Sequence, residues 1–111
     1  MPQYMLLMHA PVGQDNDLSP DESQKIIERY SAWAGKLTEA KKLVGAQKLT
    51  HEAGTVVEPG GAVRNGPFSE TKEVIGGFFI VEAADEAEAV EIAKAGPHCE
   101  RGLRTEVRRI D

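Results

Sequence analysis

An α+β fold is predicted by two capped, apolar-faced helical segments set among several short β-rich runs, in the chain order β-α-β-β-β-α-β. The strand before the second helix, "VIGGFFIVE", is apolar on both faces, a pattern that needs cover on both sides. A length of 111 residues fits one domain, residues 1–111, with a single modest core.

The elements follow in order. Tyr4 to His9, "YMLLMH", is too short for a helix and is bounded by Pro2 and Pro11; it reads as a strand buried on both faces. A polar loop follows. Ser19 then begins a helix as N-cap, with Pro20 at the first helical position and Glu22 completing a capping box. Ile26, Tyr30, Trp33, Ala34 and Leu37 recur at helical spacing, and Lys41 and Lys42 suit the negative pole, so the helix is expected over Pro20 to Lys42. Leu43 to Leu49 reads as a strand. The stretch "TVVEPGGAVRN" has two β-rich arms around Pro59-Gly60-Gly61, a hairpin signal. Val74 to Glu82 is the clearest strand. Asp85 caps a second helix, with Glu88 as its box partner, and Gly96-Pro97 ends it. Leu103 to Ile110 closes the chain as a charged edge strand.

This order is close to the split β-α-β pattern of ferredoxin-like protomers, with an extra β-hairpin before the central strand. Two helices cover only one face of such a sheet. The central strand nevertheless places Ile75, Phe79 and Val81 on one side and Phe78 and Ile80 on the other. A second copy of the same sheet is the simplest cover, so a homodimer is expected.

The formal net charge of −5 argues against a nucleic-acid footprint. The basic residues Arg101, Arg104, Arg108 and Arg109 are interrupted by Glu106 and read as a solvated strand face. Cys99 is the one cysteine, so no internal disulfide forms, and a reducing cytoplasm is the expected compartment. The N-terminus lacks the charged and apolar regions of a signal peptide, and no apolar run is long enough to span a membrane. No C-x-x-C, H-x-x-x-H, phosphate-loop, dinucleotide or serine-elbow motif is present, so neither a metal nor a cofactor is expected.

The richest segment is "RNGPFSETKEVIGGFF", Arg64 to Phe79. Pro67 removes an N–H and pushes Gly66 towards extended angles, which makes an irregular loop rather than a simple reversal. Phe68 can anchor that loop, and Ser69 to Glu73 offer a hydroxyl, carboxylates and an ammonium. Gly76 and Gly77 remove two side chains from mid-strand, which marks close approach of a ligand or another backbone. Binding is therefore assigned to Asn65, Phe68, Thr71, Lys72, Gly76 and Gly77. Alternatively, the charges are merely solvated and the glycines relieve packing. The histidines lie at 9, 51 and 98. His98 or His9 could carry a proton, oriented by Glu70, while Lys72 neutralises negative charge. His51 reads as a loop residue.

Asn65-Gly66-Pro67-Phe68-Ser69-Glu70-Thr71-Lys72-Glu73, followed by Gly76-Gly77-Phe78, resembles the signature of the YCII-related, DGPF-domain family: D-G-P-F-x-E-T-K-E, then a double glycine and an aromatic. The "YMLLMH" strand, Ser19-Pro20, His98 and Glu106-Val107-Arg108 extend the resemblance over nearly the whole chain. It implies a dimeric α+β barrel of ferredoxin-like protomers. For distant relatives it implies cofactor-free lyase or dehalogenase chemistry on small organic compounds. Asn65 departs from the signature aspartate. An amide does not titrate, so either this position holds a turn or an activity has been lost; the first is favoured.

Two functions remain open. One is a cofactor-independent enzyme working by proton transfer on a small organic molecule, in a cleft between sheet and loop at a dimer seam. The other is a non-catalytic ligand-binding or regulatory module using the same cleft.

Overall fold

The computed structural model describes residues 1–67 and 72–111. The elements are β1 (Gln3–Pro11), α1 (Pro20–Glu39), β2 (Leu43–Lys48), β3 (Thr55–Val57), β4 (Val63–Asn65), β5 (Glu73–Glu82), α2 (Glu86–Lys94), α3 (Pro97–Glu100) and β6 (Thr105–Ile110). The fold is mixed α+β. Four strands form a sheet in the order β2-β5-β1-β6, with antiparallel pairing throughout, and β3 and β4 form a separate hairpin.

Helix α1 starts where its capping box dictates. Ser19 Oγ accepts the Glu22 N–H, and Glu22 Oε1 accepts the Ser19 N–H, both at 3.1 Å. It stops three residues short of Lys42. The Lys42 N–H donates to the Leu37 carbonyl at 2.9 Å and the Lys41 N–H to the Thr38 carbonyl at 3.0 Å, with Lys41 at φ 59°. That is a Schellman closure with a lysine where glycine is usual. Lys42 thereby leaves the helix and pairs with Glu88 of α2. Asp85 caps α2 by accepting the Glu88 N–H at 2.8 Å, but the Glu88 carboxylate pairs with Lys42 and does not close the expected capping box. Gly96-Pro97 ends α2 but also opens the short helix α3, which the sequence reading passes over. The α3 turn delays β6 to Thr105.

Trp33 and Leu37 of α1, with Ala89 and Ala93 of α2, pack on Tyr4, Leu6 and Met8 of β1 and on Val81 of β5. Leu6 and Val81 are fully buried, each worth roughly 1.5–3 kcal/mol. Along β1 the even-numbered residues from Tyr4 to Ala10 are buried and the odd-numbered ones only half-buried. Within this chain β1 is therefore not sealed on both faces as expected. Both helices lie on one side, and Met5, Leu7, Phe78 and Ile80 form an apolar strip on the other, by the register that pairs Met5 with Ile80 and Leu7 with Phe78.

Between Met8 and His9 the register slips: Met8 faces Gly77, but His9 faces Ile75. Gly76 is thus the extra residue of a β-bulge, the device that bends a strand and re-aims its neighbours, so Ile75 shares the face of His9 and not, as strict alternation predicts, that of Phe79 and Val81. The hairpin turns at Gly60 and Gly61, whose φ of 90° and 96° suit residues without a Cβ, and Arg64 pairs with Glu58 at 2.6 Å. The Gly66–Pro67 peptide is cis.

Candidate functional site

The packed core stops at Met8. Beyond it, between α1 and the β2–β5–β1 sheet, lies a cavity of about 300 Å³, at the lower end of the range for small-molecule sites. It opens on the helix-covered face, opposite the Met5–Leu7–Phe78–Ile80 strip. Ile26 with Tyr30, and Ile27 with Ser31, stand one helical turn apart on α1 and form one wall. Met8, Phe79, Gly76 and Gly77 form the sheet wall, and Ala46, Gln47 and Lys48 of β2 form the side.

One end of the cavity is polar, and its hydrogen bonds have a fixed direction. His98 is 4% exposed. Its Nε2 lies 2.8 Å from the carbonyl oxygen of His9, which can only accept, so Nε2 carries the proton. In the neutral ring Nδ1 is then a lone pair, and it receives the Tyr30 hydroxyl at 2.7 Å. The Tyr30 oxygen in turn accepts an N–H from Arg101 Nη1 at 3.1 Å. Arg101 Nη2 pairs with Asp15, and both side chains are largely shielded from solvent. Burial pushes the His98 pKa down, only partly offset by the bond to His9, so the ring is kept neutral. Burial also pushes the Tyr30 pKa up, against the pull of Arg101, so the phenol stays protonated.

The other end holds His51. Its Nδ1 donates to the Gln14 carbonyl at 2.8 Å, which leaves Nε2 as the lone pair in the neutral ring. No other hydrogen bond to this ring is found among the described residues. The ring occupies the space that a side chain on Gly76 would need: a Cβ there would stand 2.3 Å from His51 Nε2 and Cδ2. A Cβ on Gly77 would meet the Gln47 carbonyl oxygen at 2.9 Å. Asp15, at φ 72°, and Gln14 are consecutive residues of the β1–α1 loop, so that one loop grips both ends of the cavity.

Of the residues proposed from sequence, His98, Gly76 and Gly77 line the cavity. His9 contributes its carbonyl, but its imidazole faces the other side of the sheet and pairs with Glu106 at 2.9 Å. Asn65 ends β4 and Lys72 is exposed; neither is on the cavity wall. Phe68, Glu70 and Thr71 lie outside the described residues. Sequence reasoning missed Tyr30, Asp15, Arg101, Lys48 and His51. A tyrosine on an apolar helix face was the one available signal, because its hydroxyl needs a partner when buried.

A family model described as "YCII-related domain" matches residues 3–111. An uncharacterized protein of Rhizobium meliloti (strain 1021) is 30% identical over 100 residues, covering 82% of this chain and 77% of that protein. Among solved structures, 5-chloro-2-hydroxyhydroquinone dehydrochlorinase (TftG) from Burkholderia phenoliruptrix AC1100, in complex with 2,5-dihydroxybenzoquinone, aligns over 100% of this chain and 94% of that one. Its TM-score is 0.48 and its identity 20%.

Proposed function

This chain belongs to the YCII-related domain family, and we propose that it is a cofactor-independent enzyme that moves a proton on a small, partly apolar organic molecule, in lyase- or dehalogenase-like chemistry. The observation that carries this reading is the buried chain from Asp15 through Arg101, Tyr30 and His98 to the His9 carbonyl. The Tyr30 oxygen gives its proton towards His98 and takes one from Arg101, and still has acceptor capacity at the cavity wall. A substrate hydroxyl placed there passes its proton to the Tyr30 oxygen while the phenol proton moves to His98 Nδ1. The neutral, buried imidazole is ready to receive it, and Arg101 stabilises the negative charge that passes through the phenol oxygen. The substrate oxyanion that results supplies the electron pair that expels a leaving group. Ile26, Ile27, Met8 and Phe79 suit the apolar body of the molecule.

The protomer is read as a ferredoxin-like unit, supported by the β2-β5-β1-β6 order, that pairs into a dimeric barrel through the Met5–Leu7–Phe78–Ile80 strip. Light scattering of the parent and of Phe78→Lys should give a dimer and a monomer; a parent that remains monomeric at micromolar concentration refutes the pairing.

Steady-state assays on small hydroxylated and halogenated organic acids and aromatics test the chemistry. With a substrate found, Tyr30→Phe and His98→Asn should each lower kcat about 100-fold. Turnover indifferent to both changes would sink the relay. The second reading, a binding module, draws on Asn65 in place of the signature aspartate. It predicts thermal stabilisation by such compounds without product.

A further inference from the structure

We propose, building on the proton-transfer reading above, that His51 and Lys48 form a second reacting pair on the Gly76–Gly77 wall of the cavity, serving small enolisable carbonyl monoanions with an apolar substituent. Tyr30 and His98 do not account for this wall. His51 is placed there with evident cost to the strand: the bulge at Gly76 and its missing side chain exist where the imidazole sits. The Gln14 carbonyl fixes the proton on Nδ1, so the neutral ring keeps its lone pair on Nε2, at the edge that borders Gly76, with no competing hydrogen bond among the described residues.

Charge selects the class. Arg101 is paired with Asp15, whereas Lys48, on the exposed β2 side of the cavity, has no ion-pair partner among the described residues. Among the described lining residues Lys48 is thus the one cation without a paired carboxylate, in a chain whose net charge is −5. Lys48 is the cross-strand neighbour of Gly77, one residue from the His51 notch. A base beside an ammonium suits removal of a proton from carbon next to a carbonyl. The C–H bond breaks as N–H forms on His51 Nε2. Its electron pair becomes the C=C bond, and the carbonyl π pair moves to oxygen as an enolate facing Lys48. In a 2-oxo acid the carboxylate and carbonyl oxygens lie side by side, so one ammonium serves both. The opposite wall, Ile26 and Ile27 of α1, takes the apolar substituent.

The probe is phenylpyruvate in D₂O, with exchange of its methylene protons followed by proton NMR. The parent should accelerate exchange over buffer. His51→Gln should slow that exchange about 100-fold, and Lys48→Met about tenfold. Gly76→Ala, which keeps the histidine but takes its space, should match His51→Gln while thermal unfolding confirms the fold. Val57→Thr, on the distant hairpin, should exchange like the parent. Exchange that persists in His51→Gln overturns the assignment, and if it falls instead in Tyr30→Phe, the relay stands alone. No acceleration by the parent overturns both the substrate class and the role of His51, leaving the hydroxylated panel to judge the relay.

Discussion

The two ends of β1 and β5 are built from the same strand pair and do opposite things. At the Tyr4–Val81 end every inward position carries an apolar side chain, Trp33 and Leu37 close over it, and Leu6 is fully buried. At the Met8–Gly77 end two glycines remove the side chains, the register slips, and the space is lined by two imidazoles, a phenol and a guanidinium. One end holds the fold together and the other sacrifices packing to hold polar groups in fixed directions. Stability and chemistry are segregated along a few residues of the same ladder.

Substitutions on either side sharpen that contrast. Leu6→Ala should have the largest effect on stability, about 2–5 kcal/mol by urea unfolding, because it hollows the filled end. A cost well under 1 kcal/mol would show that this end is not the anchor. Gly76→Ala should cost about 1–3 kcal/mol, since the new Cβ must displace the His51 ring or bend the strand. Long-range proton–nitrogen NMR should show the Nδ1–H to Gln14 lost; a variant in which it survives contradicts the notch. Tyr30→Phe should cost about 1–2 kcal/mol by orphaning the buried Nδ1 of His98.

The pH response should come from the polar end. Burial holds His98 below its ordinary value of 6.5, so the unfolded chain takes up this proton first as pH falls. Its contribution is complete above pH 6.5 and is lost as pH drops from there through the folded value. Urea midpoints between pH 7.5 and about 5.5 should therefore fall more steeply for the parent than for His98→Gln; equal slopes would remove His98 as the cause. The smallest effect should be at His9. Its pair with Glu106 is partly solvated, and Glu106→Gln should change stability by about 0–1 kcal/mol.

How much of this was legible in the sequence follows the range of the interactions. The N-caps of α1 and α2 and the hairpin around Gly60-Gly61 are local signals, and each appears where its residues indicate, whereas the bulge at Gly76 breaks the alternation expected along β5 and puts Ile75 opposite His9, away from the face of Phe79 and Val81. The end of α1 was read too late because Lys41 adopts the turn conformation that glycine usually advertises. The double glycine was recognised as a notch; Gly77 does meet the β2 backbone, but the occupant at Gly76 is a side chain from a distant loop. Tyr30, His98, Arg101 and Asp15 meet only through the tertiary fold, across separations such as 68 and 86 residues. No local pattern encodes such a meeting. Arg101, read as part of a solvated basic face, became a largely buried partner because α3 turned it inward.

The loop joining β1 to α1 is a shared bracket. Gln14 aims one imidazole and its neighbour Asp15 braces the guanidinium behind the other, so lengthening this connection by a single residue would misalign both walls together. Neither half of the cavity is free to drift in sequence without the other, and a chain that reshaped one would have to rebuild the bracket first.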